Sequence, residues 1–197
     1  MPVNNQISTP LTSAAPIATL PASLRIAGTI LLGTAFLAAC AHIAIPLWFT
    51  PIPLTLQPFG VLVLGLLLSP RLAAGTLAAY LAEGALGLPV FSPAAAPLAG
   101  IAHLLGPTGG YLLAYPAAAL LIALLSRRLG RSFTASLVSA TLGDLLILLC
   151  GALWLAGRSH AALPSTFALA VLPFLPGEAL KISAAAGLAR GWQKLRK

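Results

Sequence analysis

Acidic residues are the scarcest feature of this sequence. Glu83, Asp144 and Glu178 are the only three among 197 residues. Charged residues of both signs make up 7% of the chain, where an ordinary soluble domain carries about 25%. So little charge cannot cover a water-facing surface, which excludes a typical soluble domain and leaves lipid as the solvent for most of the chain. Cysteine is nearly absent too. Cys40 and Cys150 both fall in apolar runs and offer neither a disulfide framework nor metal-ligand spacing. His42, His103 and His160 show no ligand spacing and read as interfacial or structural histidines.

Other absences remove whole classes of function. Gly106-Pro107-Thr108-Gly109-Gly110 lacks the Lys-Ser/Thr end of a P-loop. It reads as a tight turn entering a helix, and the chain has no visible means of hydrolysing ATP. No spaced nucleophile–base set, cofactor fingerprint or metal motif is found, so neither catalytic nor metal-ligating residues are expected and an enzyme is disfavoured. The first 24 residues carry no Lys or Arg and are rich in Ser, Thr, Pro and Asn. They lack the basic start and short apolar stretch of a signal peptide, so residues 1–23 are expected to form a flexible tail before a membrane domain over 24–197.

What is abundant is apolar residues, at 59%, with a mean hydropathy of +0.99. A spanning helix needs roughly 20 apolar residues. Hydrophobic continuity and Pro/Gly punctuation predict six: 24–45, 54–68, 72–88, 108–126, 132–156 and 165–192. The expected fold is therefore an all-α integral membrane protein, a compact bundle of six transmembrane helices. The net charge of +8 does not point to nucleic acid, because the basic residues sit at the ends of the apolar runs beside anionic lipid. With six spans, Arg25, Arg71, Arg127, Arg128, Arg131, Arg190, Lys194, Arg196 and Lys197 all lie on one side, and only Arg158 lies opposite. This segregation predicts that both termini are cytoplasmic.

The outer connections, 46–53, 89–106 and 157–164, then draw notice. The first two are apolar and Pro-rich. Trp48, Phe49 and Phe91 in them suit either an aromatic belt or a cover over a small ligand.

All three acids fall inside predicted spans, where an ionised group costs about 2.5 kcal/mol or more. Glu178 and Lys181, three apart, share one helix face. The preceding Leu172-Pro173-Phe174-Leu175-Pro176-Gly177 should bend that helix and place Glu178 in the first turn of a half-helix, where a carboxylate is favoured. Two readings stand: an internal ion pair that holds the fold, or a site facing a polar solute. Asp144 is open between ligand or gating and structure. Glu83 lies near an outer helix end, within reach of an outer loop. Thr55, Gln57, Thr108 and Tyr111 gather on the same outer half. These donors and acceptors beside one ion pair suit a small solute with amide-like and carboxylate groups. On the first helix, Gly28, Ala35 and Ala39 share a small-residue face for a neighbouring helix or another subunit.

Four motifs, in order, resemble the BioY family of biotin transporters: Pro51-Ile-Pro-Leu-Thr-Leu-Gln57, Gly87-Leu-Pro-Val-Phe91, Leu105-Gly-Pro-Thr-Gly-Gly-Tyr-Leu112 and Pro173-Phe-Leu-Pro-Gly-Glu-Ala-Leu-Lys181. They span roughly residues 51–187. The resemblance implies a six-helix substrate-binding S component of an energy-coupling-factor transporter in a prokaryotic cytoplasmic membrane. Such a component captures biotin from outside and works with a separately encoded transmembrane coupling subunit and ATPase subunits. It places Glu178 and Lys181 at substrate-binding positions, with Asp144, Gln57, Thr55, Phe91, Thr108, Tyr111 and Glu83 as further candidates. Gly28, Ala35 and Ala39 become a candidate contact with a partner helix. Two departures mark this chain. Glu178 stands where the family usually has Asp, which carries the carboxylate about 1.5 Å further out. Residues 92–100 are Pro/Ala-rich where the family tends to Gly. The competing reading is a self-contained, ion-coupled secondary transporter for a small carboxylate-bearing vitamin, with Asp144 and Glu83 as proton carriers.

Overall fold

The computed structural model describes residues 21–95, 98–130, 132–159 and 162–195. The tail expected over 1–23 falls almost wholly outside them, as do His160, Arg131, Arg196 and Lys197. Among the described residues there are eight helices and one two-stranded ribbon. Helix α1 spans Ala22–His42 and leads to β1, Ala44–Ile45. β2, Leu54–Thr55, pairs with β1 antiparallel, Ala44 opposite Thr55 and Ile45 opposite Leu54. Then come α2 (Gln57–Leu67), α3 (Pro70–Ala85), the short α4 (Ile101–Leu104), α5 (Gly109–Leu129), α6 (Phe133–Ser159), α7 (Leu163–Ala170) and α8 (Leu175–Leu195).

Helices occupy each expected span, the last as two helices, but not all of them are long and apolar enough to cross a bilayer. Proline sets two of the starts. Pro70 opens α3 and Pro58 sits in the first turn of α2, where its missing N–H needs no intrahelical partner. The second expected span began at Leu54, but Leu54 and Thr55 are taken by the ribbon, so α2 has only 11 residues. By length and composition α1, α5 and α6 can each cross a bilayer. The pair α7–α8, bent by 51°, passes the same test only when taken together as one broken span. The expected bend at 172–177 is realised as a break at residues 171–174. Leu172 N–H turns back to the Phe167 carbonyl there, and Glu178 N–H bonds the Phe174 carbonyl. The 106–110 turn is also found: Gly109 N–H bonds the Gly106 carbonyl, and Trp154 Nε1 donates to that same carbonyl at 2.9 Å.

Helix α6 shows how the bundle is sorted. Leu142, Leu145, Leu149 and Leu153 are exposed, while Ser136, Ser139, Ala140, Gly143, Asp144 and Ala152 are buried. The small and polar residues of α6 face inward together with Ile147, Leu148 and Leu155, and the outward face is a row of leucines, the reverse of a water-soluble helix. The inward glycines let α5 and α6 approach closely. A Cβ at Gly143 would collide with the Ile122 side chain, and one at Gly151 with the Tyr111 ring.

Helix α1 packs on α2 and α3 through Gly33, Thr34, Leu37, Cys40 and Ala41. The small face of Gly28, Ala35 and Ala39 does not take part. Ala35 and Ala39 are exposed, and a Cβ at Gly28 would meet nothing within 4 Å. Among the described residues no neighbouring helix covers this face. The reason is rotational: the larger buried knobs on α1 point the other way around its axis.

Candidate functional site

The break before α8 is the foundation of the site. It ends α7 inside the bundle and starts a new helix there, with Glu178 in its first turn. One turn on, Lys181 Nζ donates to Glu178 Oε1 at 2.7 Å, with both side chains buried. The i, i+3 spacing brings the two groups to one face, and burial makes each depend on the other for compensation. Glu178 Oε2 is buried without a hydrogen-bond partner, and so is Asp144 Oδ1.

These groups line one cavity. Thr55, Gln57, Thr108, Tyr111, Asp144, Glu178 and Lys181 all reach its wall. Seven of the nine substrate-binding residues expected from the sequence thus converge, from α2, α5, α6 and α8 and the segment before α2. The wall is otherwise largely apolar, with Ile52, Leu112, Ile147, Leu148 and Phe174 among its members. An apolar envelope with a few convergent polar groups can hold a small amphipathic solute and leaves water little room to compete.

Phe91 and Glu83 do not lie on this wall. Phe91 is buried one layer behind it, edge-on to Tyr80 with ring centroids 5.4 Å apart and tilted over His103 at 4.9 Å. It is not part of an exposed aromatic belt. Trp48, 97% exposed, is the aromatic that protrudes from the first connection. Glu83 sits half-buried on α3. His103, read from sequence as structural, does have such a role: its Nδ1 lies 3.0 Å from the Leu98 carbonyl. It also lines the cavity, as do Ser92, Tyr115 and Phe174. Of these, Tyr115 was within reach of sequence reasoning, since it stands four residues after Tyr111 and so on the same face of α5. Ser92 and Phe174 lie in irregular segments and His103 on the short α4, whose placement no periodicity reveals.

Several of the polar groups are held by bonds that run away from the cavity. Tyr111 OH donates to the Ala170 carbonyl at 2.7 Å, tying α5 to the end of α7. Thr55 Oγ1 accepts from Gln57 N–H at 3.3 Å. Gln57 Nε2 lies 2.8 Å from Tyr80 OH, which lies 2.7 Å from the Val90 carbonyl. The wall is braced from behind, which holds its groups in place before any ligand arrives.

A model of the BioY family matches residues 12–197. The chain belongs to the BioY family. The match reaches well beyond the four motifs, at both ends. The probable biotin transporter BioY of Pyrococcus horikoshii is 41% identical over 143 residues, covering 73% of this chain and 82% of that protein. The biotin transporter BioY of Thermotoga maritima is 33% identical over 162 residues, covering 82% and 92%. A crystal structure of the S-component for biotin from an ECF-type ABC transporter superposes with a TM-score of 0.81 at 27% identity, over 89% of this chain and 94% of that one. With these relatives and its apolar helices, the BioY-family chain is a multi-pass membrane transport protein and not an enzyme.

Proposed function

We propose that this BioY-family chain takes up biotin across a prokaryotic cytoplasmic membrane, binding it from the outer side as the S component of an energy-coupling-factor transporter. The observation that carries the reading is the buried Glu178–Lys181 pair on a cavity that also holds Asp144, Gln57, Thr55, Thr108 and Tyr111. Biotin has a ureido group with donors and an acceptor, a carboxylate, and an apolar ring and chain between them. The wall offers an ammonium for a carboxylate, carboxyl and amide acceptors for N–H groups, and aliphatic surface for the rest. Glu178 Oε2 and Asp144 Oδ1 are buried with no partner at hydrogen-bonding distance, although the two acids interact with one another. Such atoms carry a desolvation penalty that a ligand N–H would relieve.

In this reading α2 and α3 complete a six-helix bundle with α1, α5, α6 and the bent α7–α8 pair, and both termini are cytoplasmic. α2 and α3, with 11 and 16 residues, cross a locally thinned or tilted arrangement. The sequence offers no P-loop, so energy comes from ATPase subunits through a transmembrane coupling subunit. The exposed face of Gly28, Ala35 and Ala39 is the proposed contact with that subunit, because small residues allow close backbone approach between helices. Biotin titration of the detergent-purified protein tests the core of the proposal. Wild type should bind tightly, and Glu178→Ala and Lys181→Ala should each bind far more weakly. Unchanged affinity in both variants would place the site elsewhere.

A further inference from the structure

Tyr80 does not touch the cavity, yet its hydroxyl decides what Gln57 shows to it. The Tyr80 ring is fully buried on α3, and its hydroxyl oxygen lies between two partners. The Val90 carbonyl is at 2.7 Å and the Gln57 amide group at 2.8 Å. A backbone carbonyl can only accept. A phenol has one proton to give, and that proton must go to Val90. The atom of Gln57 that meets the Tyr80 oxygen must therefore be a donor, which is the NH2 group. This logic does not depend on how the two ends of an amide are told apart in a structure. Gln57 is left with its carbonyl oxygen, which no hydrogen bond among the described residues reaches, on a side chain that lines the cavity.

We infer that Tyr80 is a positioning residue that fixes the polarity of Gln57, so that the cavity presents an acceptor at this point and selects a ligand bearing N–H donors there. The inference rests on the biotin reading for its ligand, because the ureido nitrogens are the only N–H groups biotin has. It also links specificity to the outer connection. Val90, the end of the hydrogen-bond chain, sits beside Phe91 in the 87–91 motif, and Phe91 packs edge-on against the same Tyr80 ring. A displacement of that connection would release the Tyr80 proton, and with it the orientation of the Gln57 amide.

Tyr80→Phe removes the hydroxyl and keeps the ring contact with Phe91. Its biotin affinity should fall about tenfold, the equivalent of one oriented hydrogen bond. Affinity for a biotin analogue methylated on both ureido nitrogens should change less than about twofold, because that analogue has no donor for Gln57 to read. In a Gln57→Ala background the same Tyr80→Phe change should have no further effect on biotin, the signature of one residue acting through the other. Equal losses for both ligands, or equal losses in both backgrounds, would mean that Tyr80 acts through packing and would overturn the inference. A ligand-free measurement separates this from failure of the biotin reading. The chain has three glutamines, so the side-chain amide protons of Gln57 can be followed in 15N-glutamine-labelled protein. They should exchange with water slowly in wild type and fast in Tyr80→Phe. Fast exchange in both would overturn the polarity argument even if biotin binds. Absence of biotin binding with slow wild-type exchange would overturn only the ligand.

Discussion

The two ends of this bundle are packed by different chemistry. Around the cavity the buried cluster contains Tyr80, Phe91, Tyr111, Tyr115 and Phe174 among its aliphatic residues. Further along α2 and α8, the second cluster is aliphatic. It consists of Leu62, Val63, Leu66, Ile122, Ala140, Ile182, Ala185 and Ala189, with Phe59 at its edge. One helix, α8, serves both: Glu178 and Lys181 at its start, Ala185 and Ala189 one and two turns later. The dry end joins helices by close aliphatic packing, and the buried Ser136 and Ser139 beside it return their hydroxyls to backbone carbonyls of the same segment. The cavity end uses rings with hydroxyl handles, which fill space and still anchor bonds to backbone carbonyls. The lesson is that binding polarity and bundle cohesion are separated along the helices, so each can be perturbed alone.

Four substitutions would break or sharpen that separation. The largest effect is expected from Lys181→Met, which keeps the volume and leaves Glu178 buried without its counter-charge. Breaking a buried pair in this way costs about 3–5 kcal/mol of stability, and loss of the ammonium that would meet the biotin carboxylate should lower affinity by about a hundredfold, as for a charge-assisted bond of about 3 kcal/mol, measurable by calorimetry. Ala189→Leu attacks the dry end instead. Overpacking a fully buried alanine costs about 1–3 kcal/mol and should lower the thermal midpoint in detergent. Biotin affinity of the folded fraction should stay unchanged. If affinity falls in parallel with stability, the two ends are not independent. Asp144→Asn removes a carboxylate acceptor with almost no change of shape. Biotin binding should weaken about tenfold, as for loss of one hydrogen bond, while thermal stability holds or rises because the amide NH2 can donate to the neighbouring Glu178 carboxylate. The smallest effect belongs to Glu178→Asp, which installs the family's usual acid and shortens its reach by about 1.5 Å. A change of only a fewfold in affinity, with altered preference among ureido-modified analogues, would mark this position as a tuning site. A hundredfold loss would show that the cavity is built around the longer acid.

Much of the site was legible because it is local. The Pro173/Pro176 pair announced a helix break, since proline cannot supply the ladder N–H. Glu178 and Lys181 follow at helical spacing, so their meeting at 2.7 Å needed no tertiary information. Thr55 and Gln57 before and at the start of α2, and Thr108 and Tyr111 at the start of α5, were found for the same reason. They sit at helix entrances on one side. What was not legible comes from irregular chain. Phe91 belongs to a motif, and yet it packs behind the wall, while its neighbour Ser92 reaches the cavity. His103 comes to the wall on a four-residue helix that no apolar period marks. The β1–β2 ribbon likewise took residues expected to lead α2.

Composition alone determined that this chain lives in lipid, because three acids in 197 residues cannot dress a surface in water. Local punctuation then set most helix limits and the placement of the ion pair. Only the tertiary structure decided which way each helix turns about its axis. It put the Gly28, Ala35 and Ala39 face outward, Asp144 inward beside the pair, and Tyr80 behind Gln57. In a bundle whose helices are apolar all round, hydrophobic periodicity gives a weak rotational signal. Rotation is fixed instead by close glycine approaches and by the hydrogen bonds that a few buried polar groups must find.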